Sequence, residues 1–249
     1  LTTIYYPTLT MALAWLSARY TLVVFLGDKA DITGGLCFVL TAVYLVGSYA
    51  LNALSPIISG KFQVSTTFIK LVPLLLMAVI GTIYGLTKGF TVENFTTVVN
   101  EIPTSNAIFK AVCATVFAYE GWIIATSINA ELKDSKKNLP KALVIGAFAI
   151  VAIYVFYYIG LAGAIPNAEM MASGQTGAKN AFSAVFGRIM GTGIFVFVII
   201  SCLGTLNGLM LGCTRGLYSI ANRGRGPSPQ VMSNIDKNTN MPTNSAVFG

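Results

Sequence analysis

Six apolar stretches, each long enough to cross a bilayer, limit what this chain can fold into more than any other feature. A transmembrane helix needs roughly 20 predominantly apolar residues. The sequence offers such runs at 5–26, 35–59, 64–86, 106–130, 139–164 and 189–221. In hydrocarbon every backbone N–H and C=O must be bonded within the protein, so these runs are expected as helices. The expected fold is all-α: a polytopic, multi-pass integral membrane helical bundle, with 1–249 as a single transmembrane domain. Only 10% of residues are charged, against about 25% in soluble domains, which excludes a soluble protein with a large core.

The charges sit in short clusters between the apolar runs. The net charge of +7 does not point to nucleic acid, because Lys and Arg form no continuous basic face. The surrounding partner is instead the lipid bilayer. Lys133, Lys136, Lys137 and Lys141 make the densest positive loop, so the loop 131–141 is assigned to the cytoplasm. Two crossings later Arg223 and Arg225 fall on the same side. Histidine is absent. Cys37, Cys113, Cys202 and Cys213 lie in apolar runs without metal-ligand spacing and read as small packing residues. With no nucleophile–base spacing either, no enzyme, metal or cofactor is expected. Asn94-Phe95-Thr96 matches a glycosylation acceptor.

Tyr5 and Tyr6 are placed as an interfacial aromatic belt, and Pro7 suits a first helical turn. Arg19 lies well inside the first run, where it either reaches outward or pairs with an acid. Gly47, Ser48 and Asn52 suit close helix contacts in the second. Pro56 is expected to kink its end, and Lys61 to mark a very short connection. Lys70 is a costly ion inside the third run, with Pro73 three residues later. It either reaches to the near surface or serves function. Pro140 is expected in the first turn of the fifth helix. The connection 165–187 is expected to hold a short amphipathic helix near 178–186. The Gly-x-Gly of GTGIF, residues 191–195, reads as tight packing.

One stretch departs from a plain lipid-facing helix. FAYEGWIIATSINAEL, residues 117–132, carries Glu120 followed by Gly121, with Thr126, Ser127 and Asn129 soon after. A carboxylate in hydrocarbon costs about 3 kcal/mol on insertion scales, and glycine gives up about 1 kcal/mol of helix propensity relative to alanine. A helix broken near Glu120-Gly121, exposing backbone to a polar cavity, accounts for both. The alternative is an unbroken helix whose Glu120 pairs with a neighbouring span.

The combination resembles the amino acid–polyamine–organocation superfamily of permeases. FAYEGWIIATSINAELKDSKKNLPKAL is similar to the family's sixth span and following loop, YYPTLTMALAWLSARY to the third, TTFIKLVPL to the fifth, and LGTLNGLMLGCTRGLYSIANRG to the eighth. The resemblance implies that the chain corresponds to the third through eighth spans and the start of the ninth, both ends being cut from a longer protein. It implies two inverted five-helix repeats, with the first and sixth spans unwound at mid-membrane. It assigns Phe117, Ala118, Tyr119, Glu120 and Gly121 to substrate: backbone carbonyls receive the substrate's amino group, and Phe117 gates the site. Many exchangers of the family have glycine where this chain has Glu120, so the carboxylate would face the substrate's side chain. Lys70 falls where some members carry a lysine in place of a sodium ion, which makes it the candidate ion-coupling residue. The implied activity is sodium-independent secondary transport of a small-molecule amino acid, by proton symport or exchange, across the cell (plasma) membrane. A polyamine or other organic cation is the alternative substrate. A non-transporting receptor or assembly partner on the same fold is the alternative of another class.

Overall fold

The computed structural model describes residues 4–26, 31–54, 56–96, 104–119, 121–122, 133–173, 176–237 and 241–248. Among them the chain forms helices and turns, and no strand. The helices are α1 (Tyr5–Leu26), α2 (Gly35–Leu54), α3 (Pro56–Leu76), α4 (Thr82–Lys88), α5 (Phe90–Thr96) and α6 (Thr104–Ala118), followed by α7 (Ser135–Ala162), α8 (Asn167–Ser173), α9 (Gly177–Phe186), α10 (Arg188–Ala221), α11 (Pro229–Met232) and α12 (Thr243–Phe248). A π-helical turn, Met77–Gly81, joins α3 to α4. Five helical stretches among the described residues are long and apolar enough to cross a membrane: Tyr5–Leu26, Gly35–Ala53, Ile58–Lys88, Ser135–Ala162 and Arg188–Ala221. The chain is therefore an all-α polytopic membrane protein.

Three details differ from the reading of the sequence. Lys61 does not mark a connection; α3 already begins at Pro56 and Lys61 lies inside it. Proline suits that first position, where its missing N–H has no helical acceptor to serve. Pro140 lies in the second turn of α7 instead of the first, because α7 begins at Ser135. Gly47 has open space where a Cβ would stand, so it makes no close helix contact.

The chain divides into two compact units. The first comprises Leu1–Lys70 and Phe195–Gly249. In it α1 and α2 pack through Ala18, Leu22 and Cys37, flanked by Trp15, Leu40 and Tyr44. The hydroxyls of Thr21 and Tyr44 bond across this contact at 2.9 Å. Arg19 lies over the Trp15 ring, 5.5 Å from its centroid. Along α10, Gly204, Gly208 and Gly212 recur every fourth residue, on one helix face. A Cβ at Gly204 would strike Thr66, one at Gly208 would come 3.3 Å from Gln63, and one at Gly212 would come 3.1 Å from the Tyr6 ring. These small residues let α1 and α3 approach α10 closely, as in membrane helix pairs generally.

The first unit also holds a buried amide cluster. Asn52 on α2 and Asn207 on α10 are 2% and 3% exposed, and Ser59 on α3 is 6% exposed. Asn52 Nδ2 donates to Asn207 Oδ1 at 2.9 Å. Ser59 Oγ donates to Asn52 Oδ1 at 2.9 Å, and Asn207 Nδ2 donates to Gln63 Oε1 at 3.4 Å. Amides that bond one another across three helices are satisfied at a depth where an orphan would be costly.

The second unit is Leu71–Ile194. Here the π turn and α4 pack on α7 through backbone. A Cβ at Gly160 would overlap the Met77 carbonyl, and one at Gly81 would come 2.8 Å from the Gly160 carbonyl. The π turn follows Pro73, which has no N–H for the helical ladder. The apolar core contains Met77, Ala164, Ile165, Ala181 and Phe182. The last two come from α9, the amphipathic helix the sequence suggested. In GTGIF, Gly191 is buried and a Cβ there would strike Ser183, whereas Gly193 has open space where a Cβ would stand, so the packing reading holds for the first glycine alone. Asn94 on α5 ties down the turn after α7. Its Nδ2 donates to the carbonyls of Ala162 at 2.6 Å and Ile165 at 2.9 Å, and its Oδ1 accepts the Asn167 N–H at 2.9 Å. An amide so occupied is a capping group for two helix ends, not a free glycosylation acceptor.

Candidate functional site

The candidate site is the end of α6. Its side chains Ile108, Phe109, Val112 and Val116 are exposed, as befits a helix surrounded by apolar medium or other spans. The helix stops at Ala118. The Tyr119 N–H closes the last turn, shared between the carbonyls of Thr115 at 3.2 Å and Val116 at 3.3 Å. Two residues on, Gly121 has φ 118°, a conformation that L side chains rarely adopt and glycine enters freely. The left-handed turn thus lies at the glycine the sequence pointed to, three residues beyond the end of α6.

A helix end leaves carbonyls without helical partners. The carbonyl of Ala118 is met from another helix: Tyr154 Oη on α7 donates to it at 3.1 Å. The Tyr154 ring stands edge-on to Tyr119, centroids 5.3 Å apart at 73°. Ala118 and Tyr119 are therefore gathered with Tyr154 in the second unit. Phe117 lies in the last turn of α6, but its side chain, like all of Glu120 and residues 123–132, falls outside the described residues. Trp122 is exposed.

Lys70 belongs to the first unit, in α3, and is half-buried. Ser59, Gln63, Thr66 and Lys70 follow one another at steps of four, three and four residues, so they share a helix face. That face carries the contacts of Ser59 and Gln63 to Asn207 and of Thr66 to Gly204. Lys70 is thus the charged member of a polar stripe, the rest of which packs on α10.

Sequence reasoning passed over Tyr154 and Asn207, and read Asn94 as a glycosylation acceptor without seeing its capping role. Each is a polar group inside or beside an apolar run, which is the signal that could have found them. Among the described residues no cluster of three potential metal ligands occurs. Cys37 and Cys213 are buried, as packing residues should be, whereas Cys113 is exposed.

These features define a helical membrane protein with a helix stopped at a glycine inside a long apolar run. The chain belongs to the amino acid permease family, whose model matches residues 1–249, within the amino acid–polyamine–organocation superfamily. It is similar to the serine/threonine exchanger SteT of Bacillus subtilis (strain 168), 31% identical over 201 residues, covering 81% of this chain and 44% of that protein. It is similar to the human cystine/glutamate transporter, 27% identical over 208 residues, covering 82% of this chain and 40% of that protein. It is also similar to the mouse large neutral amino acids transporter small subunit 2, 31% identical over 130 residues, covering 51% of this chain and 23% of that protein. The chain spans less than half the length of these relatives.

Proposed function

We propose that this chain is the part of a secondary transporter that binds and moves amino acids across the plasma membrane, by exchange or proton symport and without sodium. The observation that carries the reading is the stop of α6 at Ala118, with Gly121 at φ 118°. Backbone carbonyls freed at such a stop present negative ends to an ammonium group. In this reading residues 1–249 act as one transporter domain. Phe117, Ala118, Tyr119, Glu120 and Gly121 form the amine-binding stretch, and the loop 131–141 is cytoplasmic. Lys70 supplies the positive charge that a sodium ion would otherwise bring. Exchange is preferred over proton symport because a relative is described as an exchanger. Glu120 favours a substrate with a cationic side chain if it stays ionised.

The test is uptake of radiolabelled amino acids by the full-length protein in proteoliposomes. The panel comprises serine, threonine, cystine, glutamate, leucine, lysine and arginine, with sodium or choline outside and with the interior empty or preloaded. Exchange predicts uptake only into preloaded vesicles, unchanged in choline. Uptake that needs sodium would remove the role given to Lys70. No uptake of any amino acid under any of these conditions would sink the reading.

A further inference from the structure

The geometry points to Tyr154 as a positioning residue of the substrate site: its hydroxyl holds the Ala118 carbonyl while the site is empty and yields it to the substrate's amine. This inference rests on the reading of residues 117–121 as the amine-binding stretch.

The arrangement is specific. The carbonyls of Thr115 and Val116 share the Tyr119 N–H, which belongs to the same chain turn. The Ala118 carbonyl takes its donor from α7, 36 positions further on. Tyr154 is fixed there by its edge-on contact with Tyr119, at 5.3 Å between centroids. The glycine with φ 118° follows within three residues and turns the backbone away from the helix path. An unpaired carbonyl at membrane depth is costly, and so is an unpaired phenol. The bond between them removes both costs from the empty site. A phenol and an ammonium are both donors, so they compete for the same oxygen. The ammonium is the stronger donor because it is charged. Substrate therefore displaces the hydroxyl, while the ring keeps its place against Tyr119. The consequence is lower affinity in return for an Ala118 carbonyl and a Tyr154 hydroxyl that are both bonded when no substrate is present.

Affinity in the full-length protein, measured by binding of the same radiolabelled amino acid panel, tests this. Tyr154→Phe keeps the ring contact and removes the competing donor. The best-bound amino acid should then bind about fivefold more tightly, the factor corresponding to one net hydrogen bond. Replacing Tyr154 by 3-fluorotyrosine gives a more acidic phenol and a better donor. At slightly acidic pH, where the phenol stays protonated, binding should weaken. A purely structural tie moves affinity in neither of these opposed directions. Equal or weaker binding by a Tyr154→Phe protein that melts as the wild type does would overturn the inference and leave the functional reading standing. If that variant does not fold, 3-fluorotyrosine decides alone, and unchanged affinity overturns the inference. A wild type that binds no member of the panel fails the functional reading, and this inference falls with it.

Discussion

Lys70 and Glu120 are the two residues on which single changes should speak most clearly about transport. Lys70 is a half-buried ammonium on the polar face of α3. If it stands where a sodium ion would sit, Lys70→Ala leaves buried acceptors without a cation. Transport should fall by tenfold or more, since losing a charged hydrogen-bonding group costs about 1.5–3 kcal/mol. Normal uptake by Lys70→Ala proteoliposomes would end that assignment. Glu120 lies outside the described residues, but its neighbour Gly121 marks the turn. Glu120→Gln should lose lysine and arginine more than serine and leucine if the carboxylate selects substrates. It should instead lose proton-driven accumulation while keeping exchange if the carboxyl carries a proton. A variant unchanged in preference, pH dependence and accumulation would make Glu120 a structural partner only. Asn94 belongs to folding rather than transport. Asn94→Ala strips three hydrogen bonds from the ends of α7 and α8. It should destabilise the protein by about 1–3 kcal/mol, the cost of orphaned polar groups, lowering the melting temperature in detergent without changing substrate preference.

At the scale of elements, backbone contact between helices decides which glycines matter. On α7, Gly160 sits so close to the π turn that a Cβ would overlap the Met77 carbonyl, whereas Gly146 of the same helix faces open space. Gly160→Ala should therefore destabilise by about 2 kcal/mol, as overpacking does. Gly146→Ala should be neutral or stabilise by up to about 1 kcal/mol, from helix propensity alone. Thermal unfolding of the two variants side by side checks the contrast; equal melting temperatures would mean that α7 and the π turn do not pack this way. Much of this level was legible in the sequence. The ends of α1 and α10 were read to within a residue, because apolar run length and helix length coincide when the solvent is hydrocarbon. The boundary between α2 and α3 was not. A lysine inside a helix and a lysine in a loop look alike in sequence, since its long stem lets the charge reach water from either.

For the whole molecule, thiol labelling tests which way the chain crosses the membrane. The proposed cytoplasmic placement of that end of α7 rests on the positive-inside rule and the four lysines between residues 133 and 141. Ser135 is the first residue of α7. A Ser135→Cys protein should resist impermeant thiol reagents in intact cells and react after the membrane is opened. The background must lack the native cysteines, so that any label reports on position 135 alone. Strong labelling from outside would invert the topology.

What the sequence determined by itself was local: long apolar runs become helices, and glycine at position 121 permits a turn that ends one. Both follow from the chemistry of a residue and its near neighbours, so no distant contact is needed to read them. What only the tertiary structure decided was the partner of each polar group. Asn52 meets Asn207 across 155 positions of chain, Asn94 meets Asn167 across 73, and Tyr154 meets Ala118 across 36. Spacing along a helix sets the face a side chain occupies, but its partner depends on how helices far apart in the chain pack together. In an apolar medium a polar group left without that partner is costly, and among the described residues the buried hydroxyls of Ser48 and Thr91 are left so.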